Sequence, residues 1–185
     1  MIVAAYKWLL GPYATGLAYF APRLDGGVPL EETWFARVGS EDFKNLVDYQ
    51  DEYHPGSAVR YDMGERANFT LLPVLQAALD LLRQWSPEAI QDYCRRLSSP
   101  LIEASRSLGF SVEQDEWRAG HLFGLRMPEG LALEALKTEL ETRRIVVSLR
   151  GSALRVSPNV YNDEGDVAAL IEALEGALSA KASRS

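Results

Sequence analysis

The first twelve residues constrain the fold of this chain more than any other segment. Residues 1–12, MIVAAYKWLLGP, form an apolar run that carries a single charge, Lys7. A short run of small and β-branched residues closed by Gly-Pro predicts a buried β-strand over residues 1–6 that presents Lys7 at its end. Burial lowers the pKa of an amine and makes it a better nucleophile, as Schiff-base lysines require. The alternative is a strand whose last side chain extends its ammonium into solvent.

A second candidate site residue, Arg155, lies in the apolar segment of residues 153–157. In an extended strand Leu154 and Val156 face one way and Arg155 faces the other. The planar guanidinium of arginine binds a carboxylate through two parallel hydrogen bonds, so this arginine suits recognition of an acid. The alternative is a solvated arginine on the face of a sheet.

Both segments resemble the class V aminotransferases, a family of pyridoxal-phosphate (PLP) enzymes. Residues 6–20, YKWLLGPYATGLAYF, are similar to the family's lysine segment, and residues 154–162, LRVSPNVYN, are similar to its small-domain signature. The resemblance implies that Lys7 forms the Schiff base with PLP and that Arg155 binds the α-carboxylate of an amino-acid substrate. Relatives commonly carry glycine at the position of Ala14.

A third segment, RYDMGERANF at residues 60–69, resembles the isopenicillin-epimerase-like and kynureninase-like branch of the same family. In relatives the loop after the matching glycine approaches the PLP phosphate of the partner subunit. The resemblance therefore implies that Gly64 and Arg66 bind PLP and that the full-length form is a homodimer. Glycine permits a close backbone approach, and arginine can neutralise a phosphate. The alternative for Arg66 is a solvated loop.

The resemblance also implies a fold class and a domain division. The family has the aspartate-aminotransferase fold (type I), an α/β fold with a small α+β domain, and the match covers its C-terminal half only. Residues 1–69 are expected to be a remnant of the PLP-binding large domain, including the end of its sheet. Residues 70–109 are expected to be a helical connection, and residues 110–185 the complete small C-terminal domain.

Periodicity predicts the elements of these segments. Apolar residues at helical spacing favour two helices, one capped by Thr70 and one from about residue 87 to residue 108 that Pro100 should kink or break. Gly109 supplies a helix stop.

After residue 109 the pattern changes to short strands alternating with helices. Strands are expected at residues 110–113 and 121–127, and a hairpin over residues 145–157 should turn at Gly151. A helix is expected around residues 133–140, and a last helix should be capped by Asn162.

Composition narrows the function classes. The formal net charge of −7 argues against nonspecific nucleic-acid binding, and no apolar run reaches membrane-spanning length. The single cysteine, Cys94, fits a reducing compartment and a cytoplasmic protein. The two histidines, His54 and His121, lack metal-ligand spacing, so no metal site is expected.

The predicted function is that of a class V-like PLP enzyme acting on an amino acid, in a truncated chain that is expected to be nearly inert by itself. Transamination, epimerisation and β-elimination share the lysine and the carboxylate arginine, so the reaction type stays open. The desulfurase branch has a reactive cysteine just before that arginine, and residues 148–153 contain none. The alternatives are a catalytically inert fragment, an interaction module, or one half of a split PLP enzyme.

Overall fold

The chain forms two compact units, each with its own arrangement of helices and strands. The computed structural model describes residues 1–48 and 50–182. Unit 1 spans residues 1–84, and unit 2 begins at Trp85 and contains the remaining described residues. No helix within the described ranges is both long and apolar enough to cross a membrane.

Unit 1 begins with a two-stranded antiparallel sheet. Strands β1 (Ile2–Ala4) and β2 (Gly16–Ala18) pair with Ile2 opposite Ala18. The prediction of a buried first strand is wrong for this chain. Within the described residues β1 pairs with β2 alone, and the side chain of Ile2 stays 85% exposed. A sequence pattern shows that a strand is apolar but not whether another layer covers it.

The described part of residues 22–69 contains short 3₁₀ helices rather than long elements. The guanidinium of Arg60 cross-links this segment by donating to the backbone carbonyls of Gly27 (3.1 Å) and His54 (2.6 Å). The 3₁₀ helices are Pro22–Leu24, Trp34–Ala36, Phe43–Asp48 and Ala58–Tyr61.

Helix α1 (Leu71–Trp85) follows this segment, with Leu75, Ala78 and Leu82 buried at helical spacing. Its first turn is capped by Asn68, whose Oδ1 accepts a hydrogen bond from the backbone N–H of Leu71 at 2.9 Å. The predicted cap at Thr70 is therefore wrong. The asparagine side chain reaches the free N–H from three residues upstream, the usual spacing of a helix cap.

Helix α2 (Pro87–Ser107) opens unit 2 and is capped by Ser86, whose hydroxyl accepts from the N–H of Ala89 at 3.1 Å. Pro100 lies inside this continuous helix, so the predicted break does not occur. Side chains on both sides of Pro100 are buried, and their packing outweighs the helix cost of proline. As predicted, Gly109 ends the helical segment, with a φ of +84°.

The sheet of unit 2 has three antiparallel strands in the order β3-β5-β4. The predicted hairpin is confirmed, since β4 (Ser148–Arg150) and β5 (Ala153–Val156) pair across a turn in which Gly151 has a φ of +58°. Strand β3 (Phe123–Arg126) pairs with the other edge of β5. The strand predicted at residues 110–113 is reduced to one bridge, between Ser111 and Arg126.

Helices cover one face of this sheet. Helix α4 (Glu164–Ala182) packs against both α2 and α3 (Leu133–Thr142). The side chains of these helices and of the strands form a single core. Its largest fully buried members include Leu101, Leu125, Leu136, Leu154 and Leu174. The strand residues between the buried ones face away from this core, which leaves an open sheet face.

The start of α4 is fixed by a reciprocal pair of hydrogen bonds. The carboxylate of Asp163 accepts from the N–H of Asp166 at 3.1 Å, and the carboxylate of Asp166 accepts from the N–H of Asp163 at 3.3 Å. The predicted cap at Asn162 is wrong, because its Oδ1 accepts instead from the N–H of Asn159 in the preceding turn. Both aspartates also complement the positive end of the helix dipole.

Candidate functional site

Lys7 lies in the turn that follows β1, not in the strand itself. The turn is closed by backbone hydrogen bonds from Ala5 to Thr15 (3.0 Å), from Leu10 to Lys7 (3.0 Å) and from Gly11 to Ala5 (2.9 Å). The side chain of Lys7 is exposed, so its predicted burial is wrong for this chain.

The surroundings of the Lys7 amine are aromatic. Its Nζ lies 5.3 Å from the ring centroid of Tyr6, which stacks on Tyr13 with 4.5 Å between centroids. No ion pair among the described residues includes Lys7. The structure therefore presents an accessible primary amine beside a pair of stacked rings.

Gly11 fixes the Lys7 turn against α1. A Cβ at this position would lie 2.8 Å from Cδ1 of Leu75 and 2.9 Å from Cβ of Ala5. Ala5 is fully buried and Leu75 nearly so, so neither can move aside without opening the packing of unit 1. The glycine of the Gly-Pro pair is thus required by close approach between the turn and the helix.

Ala14 marks a strained position on the same turn. Its φ is +62°, a left-handed conformation that costs a residue with a Cβ about 1 kcal/mol or more. Glycine would adopt this conformation freely, which gives a physical reason for the glycine that relatives commonly carry there.

The residues predicted to bind the PLP phosphate are engaged by carboxylates of this chain. The backbone N–H of Gly64 donates to Glu31 at 2.8 Å, and Arg66 pairs with Asp62. A Cβ at position 64 would lie 3.1 Å from Oγ1 of Thr33, so the glycine keeps this approach open. Within unit 1, no hydrogen bond or ion pair of the described residues joins Gly64 or Arg66 to Lys7.

Arg155 lies in unit 2, on the open face of the sheet. Leu154 is fully buried and Val156 is 7% exposed, while Arg155 between them is exposed, which confirms the predicted alternation. Arg155 pairs across the sheet with Gly124 of β3 and Ser148 of β4. Its guanidinium donates to the hydroxyl oxygen of Ser148 at 3.2 Å.

The space beside Arg155 is open because its β3 neighbour is glycine. A Cβ built on Gly124 would meet no heavy atom within 4 Å. A small acidic group can therefore approach the guanidinium from the side of β3. Such an acid would also lie within reach of the Ser148 hydroxyl, which can donate its own hydrogen while it accepts from Arg155.

Sequence reasoning did not single out two further arginines on this face. Arg126 of β3 and Arg150 of β4 are both exposed, and both pair directly with Ala153 of β5. The signal that could have found them is the same period-two alternation that placed Arg155, extended to the neighbouring strands.

Other reactive side chains are not grouped into a site. Cys94 is fully buried in α2, where burial raises the pKa of its thiol and the thiol donates to the carbonyl of Pro158 at 3.6 Å. Burial also lowers the pKa of His121. Within residues 1–48 and 50–182, no three histidine, cysteine, aspartate or glutamate side chains are arranged to hold a metal ion.

No protein-family model matches the chain, and no curated protein sequence matches it. Solved structures do match. The cysteine desulfurase CsdA from Escherichia coli, in its S-sulfonic acid form, aligns with a TM-score of 0.74 and 20% identity, over 97% of this chain and 46% of that one.

Two further structures align over a similar range. The apo cysteine desulfurase from Thermococcus onnurineus NA1 has a TM-score of 0.70 and 17% identity, over 97% of this chain and 46% of that one. A lysine-to-alanine variant of C-DES with glycine covalently linked to its PLP cofactor has a TM-score of 0.69 and 19% identity, over 92% of this chain and 44% of that one.

These matches establish the fold. The chain spans about half the length of the structures that it matches. Its mixed helix and sheet architecture is the one that these structures have over the matched part, which agrees with the fold class predicted from the sequence.

Proposed function

We propose that this chain supplies the lysine and the carboxylate-binding arginine of a PLP-dependent enzyme that acts on an amino acid. The observation that carries the proposal is the fold, shared over 97% of the chain with cysteine desulfurases, together with a single lysine on the turn after β1. In this proposal Lys7 is the attachment point of PLP and Arg155 binds the α-carboxylate of the substrate.

The side chains of unit 1 are compatible with PLP. The Lys7 amine is accessible, and the N–H of Gly64 already holds one anion, the Glu31 carboxylate, at 2.8 Å. The PLP phosphate of a partner subunit would bind there by displacing Glu31, with Arg66 released from Asp62 to neutralise it. When bound, PLP withdraws electrons from the substrate Cα, and Lys7 Nζ is then the group that takes and returns the Cα proton.

Arg155 contributes binding and orientation. Its guanidinium projects from β5, where the residues on either side of it, Leu154 and Val156, are buried in the core of unit 2. A side chain whose backbone is fixed loses less freedom when it binds a carboxylate. The Ser148 hydroxyl, already bonded to Arg155, supplies a second hydrogen bond to the same acid.

The segment just before Arg155 disfavours one reaction. Residues 148–153 contain no cysteine, and Cys94 is buried in α2 with a raised thiol pKa. A thiol that is buried and protonated does not attack a sulfur atom of the substrate. Transamination, epimerisation and elimination at Cα therefore remain the candidate reactions, and cysteine desulfuration is not proposed.

A comparison of two ligands tests the role of Arg155. L-Alanine and ethylamine differ only by the carboxylate, and their binding to the PLP-treated protein can be measured by ligand-observed NMR. We expect the wild type to prefer alanine and Arg155→Gln to lose about tenfold or more of that preference, since a charge-assisted hydrogen bond contributes about 1.5–3 kcal/mol. Equal binding of the two ligands to the wild type would show that Arg155 does not select a carboxylate.

A second candidate function is that of an interaction module or one half of a split enzyme. Unit 1 exposes apolar side chains that a stable surface normally covers, including Ile2 (85%), Val28 (81%), Phe69 (87%) and Tyr13 (75%). Either another polypeptide or a second copy of this chain in a homodimer would cover them. Sedimentation of the purified chain with and without PLP separates a chain that self-associates through these side chains from a monomer that binds PLP by itself.

A further inference from the structure

The open sheet face of unit 2 carries three arginines and no acid on its strands. The strand residues on the face away from the core are Gly124 and Arg126 of β3, Ser148 and Arg150 of β4, and Ala153 and Arg155 of β5. None of the ion pairs among the described residues includes any of these three arginines. This basic face belongs to a chain whose net charge is −7.

Strand register places the residues of this face in two rows that run across the sheet. One row is Arg126, Ala153 and Arg150, and the other is Gly124, Arg155 and Ser148. Arg126 and Arg150 flank Ala153, so their Cα atoms are about two strand spacings, or about 10 Å, apart. Arg155 lies two residues further along β5, about 7 Å from Ala153. Because alanine is small, the two flanking arginines can converge above it.

The two rows define two positions for anions. One lies over Gly124, where no atom would meet an added Cβ within 4 Å, beside Arg155 and Ser148. The other lies over Ala153, between Arg126 and Arg150. Because Arg126 and Arg150 lie on the two strands that flank β5, one anion over Ala153 can be bound by both guanidinium groups.

The backbone holds this arrangement in place. Arg126 exchanges two backbone hydrogen bonds with Ser111, at 3.0 and 2.9 Å, in addition to its pairing with β5. Leu125 and Leu154 beneath the face are fully buried. The three arginines therefore project from a fixed surface, and only their side chains need to adjust to a ligand.

We propose that this face binds an amino acid whose side chain carries a second acidic group, with Arg126 and Arg150 binding the side-chain acid and Arg155 the α-carboxylate. The inference rests on the proposed function for Arg155 and adds the substrate class. Ala153 and Arg155 are about 7 Å apart along β5, and the long side chains of the arginines let their guanidinium groups approach two carboxylates joined by a short carbon chain. Arginine, with its long stem and planar fork, suits recognition of both.

The experiment compares L-glutamate with L-glutamine on the full chain without PLP, using ligand-observed NMR or calorimetry. The two ligands have nearly the same shape and differ by one charge. We expect the wild type to bind glutamate roughly tenfold more tightly, since exposed charge pairs contribute up to about 1 kcal/mol each. The double variant Arg126→Gln/Arg150→Gln should bind both ligands equally, and raised salt should reduce the wild-type preference.

Matched controls separate this face from general charge effects. Arg106→Gln removes the same charge from an exposed position on α2, the helix packed against the other face of the sheet, and should keep the preference for glutamate. Gly124→Val should weaken both ligands without unfolding unit 2, because its side chain fills open space beside Arg155.

The outcomes distinguish this inference from the proposed function. No preference for glutamate in the wild type, or a preference that survives in the double variant, overturns the inference. A second outcome is that Arg155→Gln leaves the binding of both ligands unchanged while the double variant abolishes the preference for glutamate. Arg126 and Arg150 would then bind an acid, and the proposed role of Arg155 would be wrong. A third outcome is that Arg155→Gln weakens the binding of both ligands equally and the wild type shows no preference for glutamate. The role of Arg155 in binding the α-carboxylate would then be supported, and the inference about Arg126 and Arg150 would be wrong.

Discussion

Truncation of Leu154 tests whether β5 has one buried and one exposed face, as the placement of Arg155 requires. Leu154 is fully buried in the core of unit 2. Leu154→Ala removes three carbons, which at about 0.8 kcal/mol per buried methylene corresponds to about 2.4 kcal/mol. The cavity left behind adds to this, so the expected loss in the free energy of unfolding is about 3–5 kcal/mol.

The single cysteine provides an assay specific to unit 2. Cys94 is fully buried in α2, so a short pulse of thiol reagent at each urea concentration labels only molecules in which unit 2 has opened. With a urea dependence of about 2 kcal/mol per molar, the midpoint of Leu154→Ala should fall by about 1.5–2.5 M. The next residue provides the control, because Arg155→Ala should change the free energy by no more than about 0.5 kcal/mol.

Two results would refute this reasoning. A loss below about 1 kcal/mol for Leu154→Ala would mean that Leu154 is not enclosed by the core. A loss for Arg155→Ala comparable with that for Leu154→Ala would mean that Arg155 is packed rather than presented on an open face.

Four further predictions follow from individual side chains. Ala14→Gly should leave unit 1 unchanged or stabilise it by up to about 1 kcal/mol in thermal unfolding, because it relieves a φ of +62°; a clear loss would contradict that conformation. Asp163→Ala should lower the free energy of unfolding of unit 2 by about 1 kcal/mol, the usual contribution of a helix cap, which urea unfolding measures. Asn162→Ala should lower this free energy by less. Cys94 should react with thiol reagents far more slowly in the native protein than in urea, because burial raises the pKa of its thiol; equal rates would place it on the surface. Burial lowers the pKa of His121 below its ordinary 6.5, so on acidification the unfolded chain binds a proton before the folded chain does. The free energy of unfolding should therefore fall as the pH drops below about 6.5. His121→Gln should remove this contribution to the pH dependence of the free energy of unfolding.

The sequence predicted those parts of the fold that depend on local pattern. The alternation of Leu154, Arg155 and Val156 and the hairpin at Gly151 follow from strand periodicity and turn chemistry, and both are observed. The two wrong caps differ by one or two positions from the observed ones, because neighbouring polar residues compete for the same free N–H groups.

Burial at the N-terminal strand could not be predicted in the same way. An apolar run shows that a strand can be buried, but whether it is buried depends on the polypeptide that covers it, and Ile2 and Lys7 are exposed in this chain. The arginines at positions 126 and 150 were missed for a related reason. Their alternation is visible in the sequence, but only strand register brings them to opposite sides of Ala153.

Reductive trapping of PLP tests the central claim most directly. The chain has four lysines, Lys7, Lys44, Lys137 and Lys181. The protein is incubated with PLP, reduced with borohydride and digested, and the pyridoxyl group on each lysine is measured by mass spectrometry, with Lys7→Arg as the matched control. We predict that Lys7 carries most of the pyridoxyl group and that Lys7→Arg loses this fraction without transferring it to another lysine. An even distribution over the four lysines, or preferential labelling of another one, would contradict the assignment of Lys7 as the attachment point.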